Sequence, residues 1–448
     1  MASTFDAVVI GGGIAGLTVT WRLLEAGTDV ICLEADGSAG GCVGTDRNGG
    51  FLCERGAQNV LEEANGPVAR LANDLGIAAE FHPARQQENF IASNDRLFKM
   101  PAQLHRLLSA RGVLVAARGL LAHTQPREDD EAIAAWARRR LGDEFARCVA
   151  DPMVSGIYAG DPERLSLNAT FPALRDLERA HGRLLVGTFR CKPAKRVVYT
   201  FRGGMGTLAE ALARRIGPAL RTRVKVSGIT AGANHRYRIE GCDGIEARTV
   251  IFATAATIAA EVVARLDPTL ARSLRSIRNA PVVSAGIAFR DADLIRPAPK
   301  GYGLVRPYCE GSRLLGCLFS SSAFEAFAPA GTVLLRIIAG GARDPEAVGL
   351  SDQELTDLAI RELAPLLGIR TGAKPVFYRA TRHFPGLPQY ELDHLARLRE
   401  IEQLAGRLPG VHFTGNSYRG VSVSKVVEQA EELSSRVLRL PGSGVKPK

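Results

Sequence analysis

The chain has 448 residues, 46% of them hydrophobic and 6% aromatic, with a formal net charge of +10. That length admits two or three domains with sizeable cores, and the composition is that of an ordinary globular protein. The positive charge favours carboxylated substrates or anionic lipid surfaces, while the lack of any recognition module removes nucleic acid from the expected partners.

The chain opens on an apolar strand, Val8-Val9-Ile10, followed by Gly11-Gly12-Gly13-Ile14-Ala15-Gly16-Leu17 and, after a second strand over 29–33, by Glu34. Each part has a job in holding a dinucleotide. Gly11 permits the tight turn out of the strand, Gly13 lets a pyrophosphate approach the backbone, and Gly16 lets the following helix pack closely. The helix start, with Ile14 and Ala15 beside it, offers free N–H groups and a positive dipole end to phosphates. Glu34 falls where an acid accepts hydrogen bonds from a ribose. The motif alone does not separate FAD from NAD.

Further glycines follow at 40–41, 49–50 and 56, a density that fits backbone pressed against a ligand. From about 100 to 193 the pattern turns helical. The stretch 103–122 carries leucines at helical spacing beside Arg106, Arg111 and Arg118. It reads as a surface helix or an interfacial one, and Gly112 and Gly119 count against one continuous helix. A second helix is expected from 130 to 149, ending near Asp151-Pro152.

A strand at 197–201 leads into Arg202-Gly203-Gly204-Met205-Gly206 and a helix over 207–216. Short strands at 224–226 and 237–239 and an apolar strand at 249–253 are expected to rejoin the first sheet. Strand-like runs at 282–289, 302–306, 313–319, 332–339 and 376–382, interrupted by a helix over 352–367, predict a second, mostly antiparallel α+β unit. A helix near 395–408, a strand at 411–414 and a helix over 424–438 close the chain; 441–448 reads as a disordered tail.

Eight cysteines without C-x-x-C spacing predict neither a zinc site nor a disulfide scaffold, which fits a reducing cytoplasm. The first strand begins almost at once, predicting no signal peptide. No apolar run reaches the ~18 residues that span a bilayer.

Four later runs carry a resemblance. They are Asp151-Pro152-Met153-Val154-Ser155-Gly156-Ile157-Tyr158-Ala159-Gly160-Asp161, Phe201-Arg202-Gly203-Gly204-Met205-Gly206-Thr207-Leu208, Pro388-Gln389-Tyr390 with His394, and Gly415-Asn416-Ser417-Tyr418-Arg419-Gly420-Val421. With the opening motif, they resemble the flavin amine-oxidase superfamily and, within it, the protoporphyrinogen oxidase family of haem synthesis. The resemblance implies a Rossmann-like, discontinuous FAD-binding domain (1–76, 194–265 and 386–440), an antiparallel-sheet substrate domain (77–99 and 266–385) and a helical membrane-association insert (100–193). It implies non-covalent FAD, molecular oxygen as acceptor and a porphyrinogen as substrate. It also implies a peripheral place on an anionic membrane surface, with a second copy or the next haem-pathway enzyme as protein partner.

By the same resemblance Gly11, Gly13, Gly16, Glu34 and Gly41 contact the ADP half and Val226 offers backbone to the adenine. Ala57, Gln58 and Asn59 lie near the isoalloxazine, and Asn416, Val421, Ser422 and Val423 hold its ribityl and pyrimidine side. A porphyrinogen is a large apolar macrocycle with carboxylate arms, so it wants a roomy pocket with a cation or amide at the rim. The flavin carries the hydride chemistry, so no catalytic side chain and no metal is assigned. Where many family members place a propionate-clamping arginine, this sequence has Asn89, followed by Phe90; Arg85 or Arg96 could compensate. That departure keeps open coproporphyrinogen III, or a secondary-metabolite precursor or amine, as the substrate. A flavin-bound interaction protein without turnover is the reading from another class.

Overall fold

The computed structural model describes residues 3–125, 127–184, 195–242, 244–297 and 300–439. The tail expected at 441–448 lies outside them, as does part of the 100–193 region.

One seven-stranded sheet runs in the order Leu220–Arg221, Val30–Leu33, Ser3–Ile10, Ile245–Phe252, Tyr237–Glu240, Gly228–Ala231, with Val411–Phe413 also paired to Ile245–Phe252. The five strands from 3–33, 220–221, 245–252 and 411–413 are parallel. Both faces are covered, which explains why these strands read as continuous apolar runs. Val8, Ile10, Ile31, Leu33, Val250 and Phe252 pack on the helices Ala256–Val263, Pro268–Arg275 and His394–Ala405. Val9, Val30, Cys32 and Ile251 face the helices Ile14–Glu25 and Val423–Leu438. The strand expected at 224–226 is absent. The chain there leaves the sheet, with Val224 N–H donating to the Glu34 carbonyl, and pairing resumes at Gly228.

The second sheet has the order Phe377–Pro388, Asn279–Arg290, Thr332–Gly340, Leu314–Leu318, Gly303–Val305, Asn89–Ser93, Arg96–Lys99. All its pairings are antiparallel except Gly303–Val305 with Asn89–Ser93. Helix Asp352–Leu367 covers one face. Its start is fixed by a reciprocal cap between Ser351 and Glu354, and its end by Gly368 at φ 74°.

Among the described residues of 110–184 the regular elements are helices joined by loops. Helix Ala110–Leu121 runs straight through Gly112 and Gly119. A Cβ on Gly119 would lie 1.6 Å from the Arg140 carbonyl oxygen, so this glycine is where the helix seats on its neighbour Ile133–Leu141. Close packing offsets the ~1 kcal/mol that a glycine costs a helix. The second expected helix also differs. It stops at Gly142 (φ 91°), and helical turns resume from Asp143 through a wide turn at Ala146–Ala150 into Asp151–Tyr158. Pro152 does not end it: the wide turn at Ala146–Ala150 directly before it breaks the regular hydrogen-bond ladder and takes the ring, which has no N–H to donate. Among the described residues no helix is long and apolar enough to cross a membrane.

A buried charge cluster binds these helices. Glu178 and Glu131 meet Arg139, Arg140 and Arg175, and Trp136 Nε1 also donates to Glu178 (3.2 Å). Asp151 fastens the helical region to the second sheet. Its carboxylate accepts from Arg343 and from the Tyr308 N–H, and the Arg343 guanidinium lies over the Tyr308 ring.

Candidate functional site

The parallel sheet delivers its strand ends to one crevice. Gly11 turns there at φ 104°, its N–H bonded to the Leu33 carbonyl. A Cβ on Gly16 would lie 1.9 Å from the Gly11 carbonyl oxygen, so only glycine lets helix Ile14–Glu25 sit on that turn. Gly13 is the N-cap and supplies no side chain, and no other group caps the first turn. A Cβ on Gly13 would meet nothing within 4 Å. The N–H groups of Ile14 and Ala15 thus have no intrahelical partner, and the room at Gly13 lies beside them, conditions that suit a pyrophosphate. Glu34 is buried, one carboxylate oxygen accepting from the Gly12 N–H (2.6 Å) and the other from the Asp36 N–H (2.8 Å). Each oxygen keeps acceptor capacity for a hydroxyl. Gly41 lies against Gly13, and Val226 is buried in the core beside Ile229.

A second wall comes from the run 202–206. Gly204, at φ 84°, turns the chain so that Met205 N–H donates to the Glu54 carboxylate (2.7 Å) and Gly206 N–H to Thr45 Oγ1 (2.9 Å). Thr45 in turn donates to Glu54. Burial pushes the Glu54 carboxyl up to about 7, against those hydrogen bonds.

Between these walls and the second sheet runs the segment 55–59. Thr200 donates to the Gln58 carbonyl and Ser320 to Gln58 Oε1, which leaves the buried Gln58 Nε2 without a partner. Asn59 Nδ2 donates to the Tyr302 hydroxyl. His383 Nε2 meets the Arg55 carbonyl (2.7 Å), and burial lowers the His383 pKa. Ala57 packs at the edge of the core under helix Ile14–Glu25. An uncapped helix end, open space at Gly13 and an orphaned buried donor at Gln58 fit an extended ligand with phosphates at one end and an acceptor-rich ring at the other. The residues present fit FAD.

Three of the resemblance-bearing runs meet around Tyr390. Its hydroxyl donates to the Asn416 carbonyl and accepts from the Gly420 N–H (2.8 Å), while its ring stacks on His394. Gln389 donates to the Tyr158 carbonyl (2.9 Å). Burial holds His394 neutral, with its pKa lowered to about 4. Beyond Val421, Ser422 caps helix Val423–Leu438 by accepting from the Lys425 N–H, and Val423 is buried.

The four residues expected at the substrate do not act as one group: no hydrogen bond or ion pair joins any two of them. Asn89 is exposed, its amide donating to the Gln87 carbonyl (3.2 Å). Phe90 packs against the core under helix Asp352–Leu367, on the opposite face of the sheet, as strand alternation requires. Arg85 pairs with Glu325, and Arg96 is exposed at the outer hairpin.

The sheet aligns Asn89 with residues that sequence reasoning missed. Asn89, Gly303, Leu318, Arg336, Gly286 and Arg379 pair in one row across six strands. Asn89 and Arg336 stand three strands, roughly 14 Å, apart on the same face. The available signal for Arg336 was its lone charge inside the apolar run Val333-Leu334-Leu335-Arg336-Ile337-Ile338.

Comparison with known proteins gives consistent findings. The model of the family described as flavin containing amine oxidoreductase matches residues 14–438. The chain is 28% identical to the chloroplastic protoporphyrinogen oxidase of Nicotiana tabacum, over 97% of this chain and 86% of that protein. It is 26% identical to the coproporphyrinogen III oxidase of Bacillus subtilis, over 96% and 97%. A crystal structure from Exiguobacterium sp. 255-15, named as a candidate protoporphyrinogen oxidase, superposes with a TM-score of 0.84 at 23% identity, covering 98% of this chain and 99% of that one. That superposition shows the fold.

Proposed function

The chain belongs to the flavin-containing amine oxidoreductase family, and from that membership we propose that it oxidises a porphyrinogen to the corresponding porphyrin, protoporphyrinogen IX first among them. It is an FAD-dependent oxidoreductase. The observation that carries the substrate reading is the near full-length similarity to proteins named for porphyrinogen oxidation, joined to the meeting of the family-like runs around Tyr390.

FAD held there would supply a hydride acceptor, with molecular oxygen as the proposed terminal acceptor. The protein's part is to position. The Gly11–Gly16 turn and Glu34 hold the ADP half, Gly41 lets the backbone approach it, and Val226 lends backbone to the adenine. Ala57, Gln58 and Asn59 orient the ring, Gln58 with its free amide donor. Asn416, Val421, Ser422 and Val423 close the far side. We assign 1–76, 194–265 and 386–440 to flavin and 77–99 and 266–385 to substrate, although Phe81–Pro83 pairs with Val197–Phe201, helix Pro268–Arg275 packs on the first sheet and strand Phe377–Pro388 crosses the last boundary.

Asn89 favours a second reading. An amide binds a carboxylate with hydrogen bonds but no charge, so it recognises a propionate more weakly than arginine does. Coproporphyrinogen III, the substrate named for the Bacillus subtilis relative, is the alternative. FAD-loaded protein should turn both porphyrinogens over unequally, read by porphyrin fluorescence and peroxide. Asn89→Arg should lower KM for the preferred substrate about ten-fold, the worth of one charge-assisted hydrogen bond. Absence of turnover with either porphyrinogen removes the substrate reading. An unchanged ratio in Asn89→Arg removes Asn89 from it.

The helical region 100–193 is the proposed membrane-association insert, placing the protein at the cytoplasmic face of an anionic bilayer. Arg111, Leu114, Arg118 and Leu121 form one exposed stripe of helix Ala110–Leu121, with Leu114 61% and Leu121 59% exposed. Leucines between arginines suit insertion among anionic headgroups. The double variant Leu114→Ser/Leu121→Ser should lose co-flotation with anionic liposomes while keeping its flavin; equal flotation of both proteins overturns the assignment.

A further inference from the structure

Arg336 is the buried charge that the scheme above leaves unused. It sits in mid-strand in Thr332–Gly340 and is 5% exposed. Its Nε donates to Ser284 Oγ (2.7 Å), and Nη2 donates to the carbonyls of Arg55 (3.4 Å) and Gly56. All three acceptors are neutral. Among the described residues Arg336 has no carboxylate partner within 4.0 Å, whereas the buried arginines 140 and 175 each have one. Nη1 finds no acceptor among the described residues. Glu54, the buried carboxyl whose charge bears on Arg336, is not within ion-pair distance of it, and burial works against the charged form of Glu54.

An unpaired buried cation is costly, and an apolar residue of similar volume would relieve that cost. Arginine does not escape by losing its proton. The charge therefore points to a ligand that the protein alone does not supply. Gly56, which Arg336 holds by its carbonyl, directly precedes Ala57, Gln58 and Asn59, which orient the flavin ring in the proposed function.

We infer that Arg336 is a positioning residue for the flavin: it clamps the backbone at Arg55 and Gly56 and fixes one positive charge beside the ring-bearing segment, favouring the reduced cofactor. Hydride transfer moves two electrons and one proton from substrate to ring. The ring gains one net negative charge, and the substrate gains one positive charge, discharged by loss of a proton. A preorganised cation in a low-dielectric site lowers the cost of the negative charge without reorganising. The inference rests on the flavin reading of 56–59 and not on which porphyrinogen is oxidised.

The test uses FAD-loaded wild type, Arg336→Met, Arg336→Lys and Ser284→Ala. Two quantities are read: the equilibrium of electron exchange with a reference dye, and the affinity of the oxidised flavin for sulfite. In Arg336→Met both should fall at least about ten-fold, whereas Arg336→Lys and Ser284→Ala, which keep the charge, should stay within about three-fold of wild type. Flavin-loaded Arg336→Met with both quantities unchanged overturns the inference. Should Arg336→Met lose its flavin, Arg336→Lys decides. Retained flavin with an unshifted dye equilibrium upholds the inference; loss of flavin from Arg336→Lys as well makes Arg336 a structural clamp and overturns it. Neither readout needs a porphyrinogen, so a chain that turns none over fails the proposed function and leaves these comparisons standing.

Discussion

Gly16→Val will yield a colourless protein, stripped of flavin and destabilised by about 3 kcal/mol or more. The added Cβ would start 1.9 Å from the Gly11 carbonyl oxygen, a backbone atom that has nowhere to go because the Gly11 N–H is bonded to Leu33. Relief requires the helix Ile14–Glu25 to lift from the turn. Lifting it misplaces the N–H groups that face the pyrophosphate and parts Val19 and Leu23 from the sheet. Gly13→Ala is the matched control, since its Cβ enters open space. It should fold with an unchanged melting temperature when free of flavin, yet bind FAD more weakly, because the methyl occupies room that the phosphates need. Visible flavin absorbance and thermal melts of both variants check this. A yellow, stable Gly16→Val would mean that the turn does not hold the cofactor.

Glu178→Gln should cost 3–5 kcal/mol, roughly the penalty for removing one partner from a buried ion cluster. Glu178 is fully buried and meets Arg139, Arg140 and Arg175. Burial pushes its carboxyl upward, but the Arg139 hydrogen bond and the charges of Arg139 and Arg140 outweigh that, and its pKa lies below the usual carboxylate value. A depressed folded-state pKa gives stability that is fully present above the unfolded value, about 4.3, and is lost as pH falls through the folded one. Wild type should therefore lose stability below about pH 4, where Glu178→Gln should lose less. Thermal melts from neutrality to pH 3 read both effects. A Glu178→Gln melt matching wild type at neutral pH would show that the cluster adds no net stability.

Local pattern settles much of this fold. The turn from Gly11 to Gly16 and the acid at Glu34 are legible because each residue answers to a constraint within one βαβ unit. The helix Asp352–Leu367 begins and ends where Ser351, Glu354 and Gly368 place its caps. The stretch 103–122 is broken as Gly112 and Gly119 suggested, but at Leu108–Ser109 and not at either glycine; Gly119 stays inside the helix because the Arg140 carbonyl leaves no room for a Cβ. Pro152 misled because a widened turn, Ala146–Ala150, precedes it and lets the helical segment continue past the proline. Alternation tells which face of a strand a residue occupies relative to its neighbours, but not what lies across from that face. Arg336 stayed unnoticed for that reason, whereas grouping Phe90 with its neighbour Asn89 set aside what alternation itself says. The row from Asn89 to Arg379 joins strands separated by hundreds of residues, so register, a property of the assembled sheet, created it.

The parallel sheet also sets a timetable for synthesis. Strand Ser3–Ile10 is made first, but the strand Val411–Phe413 and the helix Val423–Leu438, which covers Val9, Val30 and Ile251, come some four hundred residues later. At roughly 5–20 residues per second a ribosome takes tens of seconds to cross that gap. Throughout it the nascent chain presents bare apolar strands and a cradle with one wall missing. A cradle complete on every side therefore exists only after strand Val411–Phe413 and helix Val423–Leu438 are made, which sets the earliest moment for full capture of the cofactor.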